Sequence, residues 1–324
     1  MLNAAIIGLG WWGKRLVEAA DGSRLIRFSR GVTLEPELAR DFAAARKLKL
    51  GTSYEEVLAD PEIDAVVLAT PHSTHRAMVE AAAAAGKHVC CEKPFALSRA
   101  DAEAAIAACR RAGVAVGVGQ NFRFMPSIKA LRELIEAGTF GTIMHVEGNY
   151  SHDWIAGLSP DHWRSAREES RAGGMTGMGI HVLDCFSYLI GPMRRIAALA
   201  TQRALNLPAG DTTAALIEFD GGATGLLGTT LKTPFVWRIA VYGENMWAES
   251  VTETRLILHR AVGDPEVRDF PAVNHVGLNL ESFATAALGK AKFHIDDAGI
   301  IHTVAALEAV FRSAESRGAW QTVS

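Results

Sequence analysis

Short apolar runs alternate with stretches of helical period over residues 1–120. The runs are Ala4–Ile7, Leu25–Phe28, Ala65–Ala69, His88–Cys91 and Val114–Val118, and the helical stretches lie around Lys14–Ala20, Pro36–Ala45, His75–Ala85 and Ser98–Ala112. Strand and helix in repeated alternation is the pattern of βαβ units, so this part predicts a doubly wound parallel sheet covered on both faces. The pattern changes after Gln120-Asn121. Pro126–Ala137 reads as a helix, Thr142–Tyr150 as a long strand, and Met178–Leu189 as a helix stopped by Gly191-Pro192. Between Ile196 and Leu258, runs such as Ala214–Phe219, Ala223–Leu231 and Arg238–Gly243 are joined by short turns, including Asp220-Gly221-Gly222, and predict an antiparallel sheet. Helices over Gly277–Ala287 and Asp297–Ser316 complete an α+β second part. The expected division is residues 1–120 and 121–324. Residues 151–172 show no sustained period, and irregular segments of that length inside a domain are often functional.

Composition narrows the class of function. Hydrophobic residues make up 49% and charged residues 21%, which supports a folded chain rather than a disordered one. With 33 Lys and Arg against 36 Asp and Glu, and no long basic run, nucleic acid is not an expected partner. The four cysteines, two of them adjacent at Cys90 and Cys91, form neither a disulfide framework nor paired CxxC spacing, so the expected setting is reducing and cytoplasmic. No basic region leads into an apolar stretch at the N-terminus, and no apolar run reaches the roughly 18 residues of a membrane span, so no signal peptide or membrane contact is expected. His72 and His75 stand three apart and His152, Asp153 and His162 form a loose cluster. Neither has HExxH or CxxC spacing, and no metal is expected.

The chemistry begins at Gly8-Leu9-Gly10-Trp11-Trp12-Gly13, which follows a predicted strand and opens a predicted helix. In that context GxGxxG is a dinucleotide fingerprint: the first glycine allows the turn, the second lets the backbone approach the pyrophosphate, and the third lets helix and strand pack closely. The helix N-terminus adds N–H donors and the positive end of its dipole. Trp11 and Trp12 fill variable positions, where each can pack or wall the phosphate site. An acid about 20 residues further on would grip the ribose 2′-hydroxyl of NAD. Phe28-Ser29-Arg30 stands there instead, and Ser29 and Arg30 can bind a 2′-phosphate, so NADP(H) is the expected cofactor. If Arg30 is only a solvated loop charge, NAD(H) serves as well.

Ala69-Thr70-Pro71-His72-Ser73-Thr74-His75 and Gly86-Lys87-His88-Val89-Cys90-Cys91-Glu92-Lys93-Pro94 follow. Further on come Asn121-Phe122-Arg123-Phe124 and a segment from Gly173-Gly174 to His181 and Asp184. Together with the glycine loop, these motifs resemble the glucose–fructose oxidoreductase, inositol dehydrogenase and MocA (Gfo/Idh/MocA) family over essentially the whole chain. The resemblance implies a Rossmann domain followed by an α+β domain whose open, mostly antiparallel sheet often joins copies into homo-oligomers. It also implies NAD(P)-dependent oxidation or reduction at a hydroxyl or carbonyl carbon of a small molecule, usually a sugar, cyclitol or related polyol.

By the same resemblance Thr70, Pro71, His72, His75, Glu92 and Lys93 lie beside the nucleotide, and Lys93 and His181 are the catalytic pair. A Lys ammonium at a strand end can stabilise the negative charge that builds on the substrate oxygen. An imidazole can exchange its proton at neutral pH, with Asp184, three residues on, placed to orient the ring. Arg123, Tyr150, Trp163 and Arg164 are the further substrate candidates. One expected residue is missing: the family's carboxylate, four residues before the histidine, is Gly177 here. Its loss makes a carboxylated substrate less disfavoured, and Arg123, Arg164 and Arg167 could hold such an anion, or be surface arginines. The alternative reading is a non-catalytic NAD(P)-binding regulator of the same fold.

Overall fold

Six parallel strands make the first sheet among the residues that the computed structural model describes, 1–157 and 162–323. They are β1 (Leu2–Ile7), β2 (Ile26–Val32), β3 (Lys49–Gly51), β4 (Ala65–Leu68), β5 (His88–Cys91) and β6 (Val116–Val118), in the order β3-β2-β1-β4-β5-β6. Every residue of β1 and β4 is buried, which is why both read as unbroken apolar runs. The intervening helices are α1 (Trp11–Ala19), α2 (Pro36–Ala45), α3 (Tyr54–Leu58), α4 (His75–Ala84) and α5 (Arg99–Ala112). Their ends follow local chemistry. Pro36 opens α2, and the Ser53 and Ser98 hydroxyls accept from Glu56 N and Asp101 N to cap α3 and α5. α1 differs: it opens at Gly10 with no side-chain cap and no acid in its first turn. Strand order reverses between β1 and β4, and open α/β sheets bind ligands beyond the carboxyl ends of the strands at such a point.

β2 runs four residues past its expected end at Phe28. Ala4 pairs with Phe28 but Ala5 pairs with Arg30, so Ser29 is skipped as a β-bulge and the strand continues to Val32. Ser29 and Arg30 therefore lie inside the strand and not beyond it.

The chain divides into two units, Met1–Asn121 with Asn274–Ile301, and Phe122–Val273 with the chain from His302 on. A single cut near residue 120 thus leaves out a segment that returns to the first unit. That segment carries α8 (His275–Ala287), whose inner face is specific: Asn279 Nδ2 donates to the Val118 carbonyl at 3.1 Å, and His275 Nδ1 lies 2.7 Å from Asn121 Nδ2.

Among the described residues the second unit holds a nine-stranded sheet. Its strands are β7 (Ile143–Ser151), β8 (Met193–Thr201), β9 (Thr212–Phe219), β10 (Thr224–Thr230), β11 (Val236–Gly243), β12 (Met246–Thr252), β13 (Arg255–Arg260), β14 (Glu266–Asp269) and β15 (Gln321–Thr322). The order is β14-β13-β12-β11-β7-β10-β9-β8-β15, with β7 and β10 parallel and the other pairs antiparallel. One face is covered by apolar side chains of α6 (Pro126–Glu136), α7 (Gly179–Leu189) and the later part of α9 (Asp297–Glu315). α7 lies so close that a Cβ at Gly148 of β7 would stand 2.3 Å from Val182 Cγ1 and 2.9 Å from Phe186 Cζ, which accounts for glycine within that strand. Among the described residues no helix is long and apolar enough to cross a membrane.

Candidate functional site

The three loop glycines have different reasons to be glycine. Gly8 has φ +96°, and a Cβ there would meet the Ala69 carbonyl oxygen at 2.4 Å; a Cβ at Gly13 would meet the Gly8 oxygen at 1.8 Å. The protein's own packing therefore demands both. A Cβ at Gly10 would meet nothing within 4 Å. It would fill open space at the uncapped start of α1, where the dipole end favours an anion. The loop thus fits a dinucleotide pyrophosphate. Trp11 is largely exposed, whereas Trp12 packs inward and its buried Nε1 has no hydrogen-bond partner among the described residues.

From this loop a chain of contacts runs along the strand ends. The Thr70 backbone abuts Gly8. The Thr70 carbonyl oxygen lies 3.1 Å from Nε2 of fully buried His75, and His75 Nδ1 lies 2.8 Å from the carbonyl oxygen of Pro94, the residue after Lys93. His72 is buried, with its ring edge-on to His75 at 5.8 Å. Lys93 is half-buried at the carboxyl end of β5, and its backbone N–H donates to the Glu92 carboxylate at 3.2 Å. Glu92 is buried against Gly119, where any Cβ would lie 2.4 Å from Glu92 Oε1. Gly8, Thr70, His75, Glu92 and Lys93 therefore share one edge of the first sheet.

Ser29 and Arg30 do not join them. Arg30 is buried mid-strand, donates to Asp60 Oδ2 at 2.7 Å and lies 3.7 Å from Glu56, so its charge is matched within the protein. A backbone hydrogen bond at Glu62 and then Arg30 itself hold the Asp60 carboxyl below the usual carboxylate range. Val32 O accepts from Gly8 N at 2.8 Å, which makes Thr33 the residue at the strand's end beside the loop. The bulge at Ser29 displaces the position, and the register that shows it is set by β1, not by β2's own sequence.

In the second unit His181 lies in the first turn of α7. Its buried ring stacks on Phe122 with centroids 4.0 Å apart and planes at 12°, and Tyr150 approaches edge-on at 6.1 Å. Trp237 of β11 closes the group, 5.2 Å from Phe122 and 5.7 Å from Tyr150. Burial, with the charge of Glu253, pushes the Tyr150 phenol up to about 12, so at neutral pH it is a hydrogen-bond donor and not a base. Phe122 and Trp237 were not among the expected site residues; strand alternation marks Trp237 as buried but does not say against what.

Asp184 does not orient His181. Both its oxygens take Arg123, Nε to Oδ2 at 2.8 Å and Nη2 to Oδ1 at 2.7 Å, and Thr303 Oγ1 adds a donor at 3.4 Å. Arg123 is thus paired with Asp184, and its Nε and Nη2 donors are taken by that carboxylate. Arg167 is exposed and lies 3.7 Å from Glu315. The Arg164 guanidinium sits 4.0 Å over the Trp163 ring and 5.6 Å from Trp154, and His162 Nδ1 accepts from Arg164 N to cap the short turn Trp163–Ser165. Burial, then the charge of Arg164, lowers the His162 pKa. Of the irregular segment, residues 158–161 lie outside the described residues. Gly177 stands in the turn before α7, and α7 begins with no side-chain cap and no acid in its first turn.

Comparison with known proteins identifies the family and the fold. Residues 2–120 match the model of the oxidoreductase family with an NAD-binding Rossmann fold, and residues 128–249 match the GFO/IDH/MocA C-terminal domain. D-apiose dehydrogenase of Paraburkholderia graminis is 33% identical over 234 residues, 69% of this chain and 59% of that protein. Levoglucosan dehydrogenase of Pseudarthrobacter phenanthrenivorans is 32% identical over 208 residues, 61% of this chain and 53% of that protein. The chain thus spans little more than half the length of these curated relatives. Among solved structures, the aldose-aldose oxidoreductase of Caulobacter crescentus complexed with glycerol superimposes with a TM-score of 0.88 at 25% identity, over 99% of each chain. Levoglucosan dehydrogenase in complex with NADH and levoglucosan gives 0.88 at 22% identity, again over 99% of each chain, which speaks to the fold alone. The motifs, both sheets and both family models agree, and the chain belongs to the Gfo/Idh/MocA oxidoreductase family.

Proposed function

We propose that this chain is an NAD(P)-dependent oxidoreductase acting at a hydroxyl or carbonyl carbon of a sugar or related polyol. One observation carries the reading: the contacts that link the glycine loop through Thr70 and His75 to the residue after Lys93. A bound nicotinamide dinucleotide supplies or accepts the hydride. Gly8, Gly10 and the first turn of α1 would hold its pyrophosphate, and Thr70, Pro71, His72 and Glu92 belong to the same edge. Lys93 hydrogen-bonds the reacting oxygen and stabilises the charge that develops there. His181, held against Phe122, exchanges the proton, and Tyr150 donates a hydrogen bond to substrate. Trp163 and Arg164 remain substrate candidates as a stacked pair.

The preference for NADP(H) loses the cation on which it rested, because Arg30 is spent on Asp60. Thr33 carries no charge to repel a 2′-phosphate, so the reading becomes acceptance of both NADP(H) and NAD(H). A carboxylated substrate stays within the class, since Gly177 and the acid-free first turn of α7 place no negative charge there. The exposed Leu199, Leu216 and Leu226, of which Leu216 and Leu226 are register partners, support a homo-oligomer through the second sheet, which light scattering of the purified chain would test. The four free, buried cysteines suit a reducing cytoplasm.

Reduced nicotinamide should form or disappear when the purified chain meets both cofactors across a panel of sugars, sugar acids and polyols. Binding of dinucleotide with no turnover of any member would favour the regulator instead.

A further inference from the structure

His75 is fully buried at the start of α4, and both ring nitrogens face backbone carbonyl oxygens, Pro94 at 2.8 Å from Nδ1 and Thr70 at 3.1 Å from Nε2. A carbonyl oxygen only accepts. A neutral imidazole has one N–H, so it can satisfy one of these oxygens and must turn a lone pair toward the other. The imidazolium has two N–H groups and satisfies both, with charge-assisted bonds that offset part of the cost of burying the cation.

We propose that His75 is a positioning residue: as an imidazolium it ties the segment after β4 to the segment after β5 and so fixes the backbone from which Lys93 projects. Titratable groups lie on its own helix and on β5. Glu92 is a buried carboxylate at the end of β5. His72 meets the ring edge-on at 5.8 Å. Arg76, the next residue on α4, is matched by Glu80 and by Asp101 of α5. Cys90 and Cys91 of β5 are held neutral, their pKa values raised by burial.

The effect on turnover rests on the proposed role of Lys93, but the protonation state does not, so the two fail separately. The test is the nitrogen NMR signature of the His75 ring in the full-length wild-type chain without cofactor, assigned with His75→Gln. At about pH 8, above the ordinary imidazole pKa near 6.5, both nitrogens should be protonated. A ring with one pyridine-type nitrogen at that pH would overturn the imidazolium. His75→Gln keeps one donor and presents an oxygen to the other carbonyl. It should lower kcat by about tenfold or more with the dinucleotide Kd changed by less than about threefold. A kcat within about twofold of wild type would overturn the positioning role. If the wild-type chain turns over nothing, the proposed function fails while the NMR result still decides the state of His75.

Discussion

Arg123 and Asp184, 61 residues apart in the chain, form a two-pronged ion pair at 2.7 and 2.8 Å in which Asp184 is fully buried and Arg123 nearly so. Removing one partner of such a pair leaves the other charge buried and alone, at a cost of about 3–5 kcal/mol. Arg123→Ala and Asp184→Asn should each lower the unfolding free energy by roughly that amount, and the double variant should cost less than their sum. Denaturant titration measures it. If Arg123→Ala were as stable as wild type and instead lost affinity for an acidic substrate, the guanidinium would belong to the ligand and not to Asp184.

The glycine loop separates fold from ligand in one experiment. Gly10→Ala should melt within about 1 kcal/mol of wild type, since its Cβ meets no protein atom, while dinucleotide affinity falls by about tenfold or more. Gly8→Ala and Gly13→Ala should destabilise the fold itself by at least about 1–3 kcal/mol, because their Cβ atoms would collide with the Ala69 and Gly8 oxygens. Paired thermal melts and binding titrations distinguish these outcomes; equal loss of affinity and unchanged stability in all three would contradict the assignment.

Cofactor choice should answer to Thr33 and not to Arg30. Arg30→Ala removes the partner of Asp60 but should leave the ratio of the NADP and NAD KM values within about threefold of wild type. Thr33→Asp puts a carboxylate at the end of β2 and should raise KM for NADP by about tenfold or more through repulsion of the 2′-phosphate. A collapse of NADP use in Arg30→Ala alone would restore the arginine to the cofactor site.

Stability should fall on the acid side partly through His88. The ring is half-buried at the start of β5, its Nδ1 accepts from Ala115 N at 2.9 Å, and burial lowers its pKa against the smaller opposing effect of Asp64. A folded pKa below the unfolded one means that this contribution is present above about pH 6.5 and is lost as the pH falls toward the folded value. His88→Asn, whose oxygen can accept the same bond, should flatten unfolding free energy against pH in that window. An unchanged slope would take His88 out of the acid response.

What could be read from the chain and what could not follow from the range of the interactions. β1, β4 and β5 were legible because strands buried on both faces leave unbroken apolar runs, and the glycine loop and Glu92-Lys93-Pro94 because their chemistry is local. The end of β2 was not legible, since the bulge at Ser29 sets the register with β1 and buries Arg30 against residues of another segment. α8 reads as a helix, but its inner residues His275 and Asn279 say only that a face is buried, not that it packs on the first unit. Helical spacing alone pairs Asp184 with His181. The guanidinium of Arg123, distant in sequence, offers two charge-assisted bonds in place of one and takes the carboxylate.

The most direct test of the proposed activity is Lys93→Ala, assayed by reduced-nicotinamide turnover on whichever sugar or polyol the wild type accepts, with dinucleotide Kd measured alongside. Loss of an ammonium that stabilises the reacting oxygen predicts a fall in kcat of about a hundredfold or more with the Kd within about threefold of wild type. Retention of most of the turnover in Lys93→Ala would contradict the account.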